Sequence, residues 1–331
     1  MKIIQDYPFA KLCSLKTKEK ASFYVELSDT DQIEEILSFS KQRNLPLMVL
    51  GEGTNIVPTK HFEGLIVKNK LLGIKQIDDN FIVSSGENWH DFVKWTIANN
   101  QYGLENLALI PGSVGAGPLQ NIGAYGSEIS DFIKEISVFN TSTGSIEVLD
   151  NKDCEFGYRT SKFKNSPELV ILSVTFNLFK EQKINISYDS LFEEIKKRKI
   201  DEDELSSKDI FKIVCDIRTR VLPDHVEYPN VGSFFKNIII DKEEFNKLNL
   251  SSDVPIFIND NHVKISSAFL IEKAGWKGVR QGGVGISNQH SLVLITYEDV
   301  SGAEILSFAQ EIIRDVFSSN GLKLEIEPTL I

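Results

Sequence analysis

The chain has 331 residues, enough for two or three domains of about 150 residues each. Hydrophobic residues make up 41% and charged residues 25%, which is typical of a globular protein and excludes a disordered one. Lys and Arg total 36 against 47 Asp and Glu, so the formal net charge is −11. Such an acidic chain is a poor candidate for binding nucleic acid, and an anionic ligand would need a local basic pocket or backbone N–H groups.

The sequence contains no recognisable targeting, membrane or metal signal. Charged residues interrupt the apolar residues near the N-terminus, and no segment approaches the ~18 consecutive apolar residues of a membrane helix. The three cysteines form no C-x-x-C pair, so we expect a reducing, cytoplasmic environment without a disulfide framework or zinc site. The five histidines never lie three or four residues apart, so we expect no metal site.

The first two hundred residues mix strand-like and helical segments, which predicts an α+β fold. In chain order we predict a helix at 30–41, strands at 45–50 and 81–86, a helix at 89–100, a hairpin at 136–150 and a strand at 168–179. The alternation of Val170, Leu172, Val174, Phe176 and Leu178 with more polar neighbours indicates that this last strand is half-buried.

A charged segment at 181–208 without a clear strand pattern indicates an excursion or a domain boundary. Beyond it we predict three helices, at 209–220, 267–274 and 303–319, from apolar residues at helical spacing. Glycines end the second and third of these helices.

Two glycine-rich loops could approach a phosphate-bearing ligand. GEGTN (51–55) follows a strand, but it lacks the Rossmann and P-loop patterns, and taken alone it favours a tight turn. IPGSVGAGPLQNIGAYGSE (110–128) combines glycines with polar donors, which favours a ligand loop over an irregular structural loop. Together the two loops indicate one extended cofactor held from two sides.

Several polar residues farther along could take part in catalysis or ligand binding. Arg159 suits a carboxylate or phosphate, with a surface salt bridge as an equal alternative. Ser233 belongs to no hydrolase pattern, so its hydroxyl could protonate a carbanion, with a helix N-cap or turn serine as the alternative. Lys277 and Arg280 could form an anion pocket or lie in a solvated loop. Glu325 and Glu327 share one face if LKLEIE is a strand, although solvated tail residues are the simpler interpretation.

The segments LGEGTNIV, GENWH, GLENLALIPGSVGAGPLQNIGAYGSE, FGYRTSKFK, GSFFKN and LEIEP occur in that order. Over essentially the whole chain they resemble the UDP-N-acetylenolpyruvoylglucosamine reductase (MurB) family. The resemblance implies an α+β fold: an FAD-binding region of the vanillyl-alcohol-oxidase (PCMH) type over 1–207, in lobes of about 1–70 and 71–207, and a substrate-binding domain over 208–331.

The resemblance also assigns roles to individual residues. The implied FAD-binding residues are Gly51, Gly53, Thr54, Asn55, Pro111, Gly112, Ser113, Gly115, Asn121, Gly123, Ala124 and Arg218. The implied catalytic residues are Arg159, Ser233 as proton donor and the terminal glutamate, which its place in the L-E-x-E pattern identifies as Glu327. The implied substrate-binding residues are Tyr125, Asn237, Lys277 and Tyr188, the last in an extra loop typical of one subgroup.

The implied activity is FAD-mediated reduction by NADPH of UDP-N-acetylglucosamine enolpyruvate to UDP-N-acetylmuramate, for peptidoglycan synthesis and hence cell shape and division. We expect a cytoplasmic monomer that acts on this small molecule and binds neither nucleic acid nor membrane. Two alternatives are an oxidase of the same fold and a non-enzymatic flavin or nucleotide-sugar binder. The sequence departs from the family at two places. Val221, beside Arg220, occupies the position where the subgroup usually has a lysine, and the chain has the ending LEIEP.

Overall fold

The fold was analysed in a computed structural model that describes residues 1–248, 250–251, 253–258, 261–297 and 299–331. The α-helices in this part of the chain are α1 (Ile33–Gln42), α2 (Trp89–Ala98), α3 (Lys162–Asn165), α4 (Asp189–Arg198), α5 (Ser207–Val221), α6 (Lys242–Phe245), α7 (Ser267–Lys273) and α8 (Gly302–Asn320). None of them is long and apolar enough to cross a membrane.

The strands are β1 (Ile4–Pro8), β2 (Lys20–Leu27), β3 (Leu47–Leu50), β4 (Ile56–Val57), β5 (Phe62–Asn69), β6 (Ile74–Ile77), β7 (Asn80–Ser84), β8 (Gly123–Ala124), β9 (Ser127–Glu128), β10 (Ile133–Asn140), β11 (Ser145–Asp150), β12 (Leu169–Asn177), β13 (Asn230–Ser233), β14 (Ile238–Asp241), β15 (Ile256–Ile258), β16 (His262–Ile265), β17 (Arg280–Gln281), β18 (Val284–Ile286), β19 (Val293–Thr296) and β20 (Thr329–Leu330).

The chain forms two compact units that each draw on several segments. Unit 1 comprises 1–6, 22–52 and 63–219, and unit 2 comprises 7–21, 53–62 and 220–331. The GEGTN loop is therefore divided, because its first two residues belong to unit 1 and its last three to unit 2. The functional division predicted from the sequence, into 1–207 and 208–331, stays a prediction.

Two sheets and one apolar cluster organise unit 1. The strand orders are β1-β2-β5-β3, with β3 and β5 parallel, and β11-β10-β12-β7-β6. Helix α1 places Ile33 and Ile36 against Leu65 of β5, and Val170 and Leu172 of β12 belong to the same buried cluster. Burying this apolar surface from both sheets is the main force that holds them together.

The predicted elements of unit 1 are largely confirmed, with two differences. Strand β12 is not half-buried, because Ile171 and Thr175 on its second face are each only 6% exposed. Within its sheet the strand lies between β10 and β7, and other parts of the chain cover both of its faces. The charged excursion contains helix α4, which the sequence analysis missed because few of its residues are apolar.

Charged contacts fasten helix α4 to helix α5. Arg198 lies 2.9 Å from Glu194 on its own helix and 2.9 Å from Asp216 on α5. Leu191 and Ile195 provide the buried face of α4. A short apolar stripe reinforced by ion pairs is therefore sufficient to dock this polar helix.

Unit 2 contains two sheets with the orders β13-β19-β18-β17 and β14-β16-β15, and a parallel pair of β4 with β20. The predicted helices at 267–274 and 303–319 are confirmed as α7 and α8. Trp276 packs edge-on against Phe308 of α8, with ring centroids 5.4 Å apart, and its indole N–H donates to Asp315 at 3.1 Å.

Helix α8 has a glycine at each end, and the physical reasons for the two glycines differ. A Cβ on Gly302 would lie 1.8 Å from the carbonyl oxygen of Pro58 and 2.8 Å from Cα of Thr59, so the helix start contacts backbone directly. Gly321 ends the helix at φ 70°, where a side chain has open space but the left-handed conformation disfavours it.

We therefore expect Gly302→Ala to destabilise the protein by about 3 kcal/mol, because overpacking against backbone forces the chain to move. Gly321→Ala should cost only about 1 kcal/mol, which is the strain of a left-handed alanine. Denaturant unfolding of both variants and the unchanged protein measures the two values.

The two substitutions add the same methyl group to the same helix, so each serves as the control for the other. Equal losses of stability, or a larger loss for Gly321→Ala, would contradict the steric explanation for Gly302.

Candidate active site

The two glycine-rich loops meet in unit 1. A Cβ on Gly51 would lie 2.3 Å from Oγ of Ser113 and 3.3 Å from Cβ of Ala116. A larger residue at position 51 would therefore meet side chains of the second loop, about sixty residues later in the sequence. The arrangement agrees with the prediction that both loops serve one ligand.

The second loop has a defined backbone. Residues Val114–Gln120 form a 3₁₀ helix, and the N–H groups of Val114 and Gly115 donate to the carbonyls of Glu87 and Ser85, each at 2.8 Å. A Cβ on Gly115 would lie 2.4 Å from Cβ of Ser85. Just before this helix, the exposed Pro111 leads into Gly112, whose carbonyl accepts the N–H of Trp89 at 3.0 Å.

A buried hydroxyl within these loops has no partner among the described residues. Ser113 is 2% exposed, and its Oγ makes no hydrogen bond. A buried polar atom without a partner is costly, so its presence between two glycine-rich loops indicates that a ligand normally completes it. The site therefore fits a cofactor with hydrogen-bonding phosphate or hydroxyl groups, such as FAD.

Arg218 on α5 shows a similar feature. Its Nε is buried without a partner among the described residues. Burial lowers the pKa of this guanidinium, an effect that the hydroxyl of Tyr125 opposes through charge interaction and a hydrogen bond. A guanidinium with an unused buried donor is suited to an anionic or carbonyl-bearing ligand.

Asn121 has a structural role that the sequence analysis did not foresee. Its side-chain N–H groups donate to Glu128 at 2.6 Å and to the carbonyl of Gly157 at 3.3 Å, while its Oδ1 accepts the N–H of Ser130. The residue is 1% exposed and takes the left-handed conformation at φ 46°. The amide thus holds the loop together, and a role of Asn121 in cofactor binding stays a prediction.

Arg159 is anchored to the same loop. Its guanidinium donates to the carbonyl of Gly123 at 2.7 Å and to that of Asn121 at 3.4 Å, and it lies 5.3 Å from the ring centre of Tyr158. A Cβ on Gly123 would lie 3.1 Å from this guanidinium, so the glycine leaves space for it. Gly123 and Ala124 form β8, which pairs with β9.

Two cations and two tyrosines lie together in unit 1. Arg218 interacts electrostatically with Arg159 and hydrogen-bonds Tyr125, whose ring meets that of Tyr188 edge-on at 5.6 Å. Desolvation, followed by the charge of Asp189, raises the pKa of the Tyr188 phenol. This cluster supplies the local positive charge that the acidic chain as a whole lacks.

Two asparagines that the sequence analysis missed hold the tyrosines in place. Asn106, which is 2% exposed, donates to the carbonyl of Tyr125 at 2.7 Å and to that of Asn185 at 2.9 Å. Asn185 in turn donates to the carbonyl of Gly126 at 3.0 Å. No local pattern marks these residues, because each bond joins segments far apart in the sequence.

His90 is a further structural residue beside this cluster. Its Nδ1 accepts the N–H of Leu109, which has the unusual φ of 56°, and its ring stacks on Phe211 of α5 at 5.6 Å. Burial and the charge of Lys94 lower the pKa of His90, which favours the neutral ring that can accept this bond.

The remaining residues of the GEGTN loop lie in unit 2. Gly53 has φ 68°, and a Cβ there would lie 1.8 Å from the carbonyl oxygen of Leu12. The carbonyl of Asn55 accepts the N–H of Thr329, next to the β4–β20 pair. Thr54 is half-buried between these two positions.

Ser233 ends strand β13, paired with Val293 of β19, so it is neither a helix N-cap nor a turn residue. It is half-buried, and its hydroxyl has no hydrogen-bond partner within the described parts of the chain. The next two residues, Phe234 and Phe235, are fully buried. Ser233 is therefore a serine at the end of a strand, next to two buried phenylalanines, and its role as proton donor stays a prediction.

The last acidic residues run beside this wall. The N–H of Glu327 donates to the carbonyl of Phe234 at 2.9 Å, and Phe235 forms an isolated bridge with Ile326. Glu327 is 9% exposed, whereas the exposed Glu325 pairs with Lys236 at 3.2 Å. The described residues 322–327 form only this bridge and no regular strand, so the condition for a shared face is not met, and the solvated-tail interpretation holds for Glu325 but not for the buried Glu327.

Lys277 and Asn237 also make contacts within unit 2. Lys277 is exposed and lies 3.0 Å from both carboxylate oxygens of Glu272, whose pKa this lysine lowers. Oδ1 of Asn237 accepts the N–H of Ser267 at the start of α7. Arg220, the candidate substitute for the expected lysine, is exposed in the last turn of α5.

No cluster of metal-ligating side chains was found in the part of the chain that the structure describes.

Comparison with known proteins also indicates an FAD-binding protein of the reductase family that the sequence resembles. Residues 21–150 match a model described as an FAD binding domain, and residues 224–331 match one described as the C-terminal domain of UDP-N-acetylenolpyruvoylglucosamine reductase. These matches confirm the expected FAD-binding region.

Curated relatives extend this similarity to the whole chain. A UDP-N-acetylenolpyruvoylglucosamine reductase from Flavobacterium johnsoniae is 38% identical over 341 residues, covering 100% of both chains. The protein of the same name from Pseudomonas putida is 37% identical over 319 residues, covering 94% of both chains. The one from Bdellovibrio bacteriovorus is 35% identical over 336 residues, covering 99% of both chains.

One solved structure supports the fold. The crystal structure of UDP-N-acetylenolpyruvylglucosamine reductase (MurB) from Thermus caldophilus aligns with a TM-score of 0.68 at 20% identity. The alignment covers 99% of this chain and 98% of that one. With relatives 35–38% identical along its full length and the expected α+β fold, the chain belongs to the UDP-N-acetylenolpyruvoylglucosamine reductase family.

Proposed function

We propose that this protein reduces UDP-N-acetylglucosamine enolpyruvate to UDP-N-acetylmuramate with NADPH, using bound FAD, as a step of peptidoglycan synthesis. The observation that carries the proposal is the full-length similarity, at 37–38% identity, to relatives named for this substrate. The site residues supply the chemical groups that the reaction requires.

The glycine-rich loops are the proposed cofactor site. The hydroxyl of Ser113 and the buried Nε of Arg218, which have no partner among the described residues, are available to FAD, and Gly51 and Gly115 allow the loops to pack closely against Ser113 and Ser85. The backbones of Gly53, Thr54, Asn55, Pro111, Gly112, Asn121, Gly123 and Ala124 complete the proposed set. When bound, FAD supplies the redox chemistry by carrying a hydride equivalent from NADPH to the enolpyruvyl double bond.

Arg159 and Glu327 are proposed to stabilise the charge that develops during reduction. Hydride addition at C3 of the enolpyruvyl group places negative charge on C2 and its carboxylate. Arg159 holds a fixed cation, since two backbone carbonyls orient its guanidinium. Glu327 is buried on the segment that pairs with Phe234, so it can orient the reacting group through hydrogen bonds. Fixed charges and dipoles of this kind lower the barrier without reorganising during the reaction.

Ser233 is proposed to donate the proton that completes the reaction at C2. Its hydroxyl makes no hydrogen bond to any described residue, so it is available to the substrate. The adjacent buried phenylalanines limit water near the carbanion, which favours protonation by a positioned group.

Further assignments belong to the same proposal. Tyr125, Tyr188, Asn237 and Lys277 are proposed to bind the sugar nucleotide. We also propose a cytoplasmic monomer that binds no nucleic acid, as the net charge of −11 and three free cysteines suggest. Burial raises the pKa of Cys154 to about 12, so its thiol stays protonated and unreactive.

An anaerobic reaction tests the function directly. We expect the absorbance of the FAD-loaded protein to fall on addition of NADPH and to recover rapidly when UDP-N-acetylglucosamine enolpyruvate is added. Recovery with oxygen but not with the sugar nucleotide would instead identify an oxidase. A protein that takes up no FAD would contradict the enzymatic proposal altogether.

Ser233→Ala should leave the reduction by NADPH unchanged and slow the recovery with substrate by at least ~10²-fold, the usual contribution of a general acid. Stopped-flow absorbance measures both half-reactions separately. The exposed Ser318 on α8 provides the matched control, and Ser318→Ala should alter neither rate. A normal recovery rate in the Ser233 variant would remove this residue from the proton-donor role.

The two C-terminal glutamates can be distinguished by parallel substitutions. Glu327→Gln should slow recovery with substrate by at least ~10²-fold, because a buried electrostatic contact to the transition state is lost. Glu325→Gln should stay within about twofold of the unchanged protein, since an exposed ion pair contributes little. The opposite order of effects would assign the role to Glu325.

A further inference from the structure

Strand β5 of unit 1 ends in two buried polar residues. Lys68 is 8% exposed and Asn69 is 5% exposed, whereas the next residue, Lys70, is exposed. Lysine is almost never fully buried unless it is paired, so its burial beside an asparagine requires an explanation. Neither residue belongs to the glycine-rich loops or to the groups assigned above.

Lys68 holds the first glycine-rich loop. In the parallel pairing of β3 and β5 it is aligned with Leu50, the last residue before that loop. Its ammonium donates to the carbonyl of Gly51 at 2.6 Å and lies 3.2 Å from the carboxylate of Glu52. The side chain therefore fixes both the backbone and the first acidic residue of the loop.

Asn69 holds the support of the second loop. Its amide donates to Oγ of Ser85 at 2.7 Å, and its Oδ1 accepts the N–H of Leu71. Ser85 is fully buried, and its carbonyl accepts the N–H of Gly115 within the second loop. Successive residues of one strand thus reach the two loops, consistent with the alternation of side chains along a strand.

Burying the ammonium of Lys68 is costly to the fold. Desolvation lowers its pKa, and the charge of Lys70 acts in the same direction, while Glu52 and the more distant Glu26 oppose the shift. Replacing a whole buried ion pair by apolar residues is often neutral or stabilising, whereas removing one partner alone leaves the other without its charge partner. A residue whose burial is costly to the fold, yet which positions a ligand loop, is typical of a functional site.

We propose that Lys68, with Asn69, is a positioning residue for the cofactor: the pair sets the spacing of the two glycine-rich loops and thereby the affinity for FAD. This inference rests on the proposed function for the identity of the cofactor. Lys68 acts through the Gly51 carbonyl and Glu52, while Asn69 acts through Ser85 and Gly115.

The test compares Lys68→Met with Lys70→Met, the same substitution two residues later, at an exposed position just beyond the end of β5. FAD affinity of the apoprotein is measured by quenching of flavin fluorescence, and folding stability by thermal unfolding of the same apoprotein. We expect Lys68→Met to weaken FAD binding about tenfold or more, because a hydrogen bond from a charged group is lost. Its Tm should fall only slightly, because the side chain of Glu52 is 34% exposed and water can solvate the carboxylate that loses its partner. Lys70→Met should change neither value.

These two readouts separate a positioning role from a structural one. A lower Tm with unchanged FAD affinity would overturn the inference, as would equal affinities of the two variants. If Lys68→Met does not fold, the expected stability is wrong, and Lys68→Gln then provides the affinity comparison. An unchanged protein that binds no FAD would contradict the proposed function, whereas normal binding with no effect of Lys68 would contradict only this inference.

Discussion

The close approach of two backbone loops is the constraint on which the proposed site depends. Gly51 and Ser113 are so near that a single methyl group would not fit between them. This proximity follows from the parallel pairing of β3 with β5, which sets the start of the first loop, and from Ser85, which supports the second. The result is two glycine-rich loops in contact at one buried hydroxyl that has no partner among the described residues, which suits a ligand with hydrogen-bonding groups.

The electrostatics of the site are local. The chain carries a net charge of −11, yet Arg159 and Arg218 lie near one another in unit 1. Carbonyl groups of the loop orient Arg159, and a tyrosine hydroxyl partners Arg218. These contacts orient both guanidinium groups, whose planar donors suit an anionic ligand.

Hydrophobic periodicity was sufficient to predict most regular elements. Helix α8 has its apolar residues on one face and glycine at its end, so pattern and boundary agree. Periodicity failed for α4, where ion pairs through Arg198 supplement a short apolar stripe, and for β12, whose second face is also covered. In both cases the burial of the element depends on a neighbouring element, and a short stretch of the sequence does not contain that neighbour.

The sequence by itself determined the fold class, the family and which residues have reactive or ligand-binding chemistry, because glycine loops and the GSFFKN segment are local patterns. Only the tertiary structure distinguished the buried Glu327 from the exposed Glu325, and only it assigned Asn121, Asn106 and Lys68 to structural contacts. The physical reason is that burial and hydrogen bonding depend on residues tens or hundreds of positions away. Side-chain chemistry belongs to the residue, whereas its environment is created when distant segments meet.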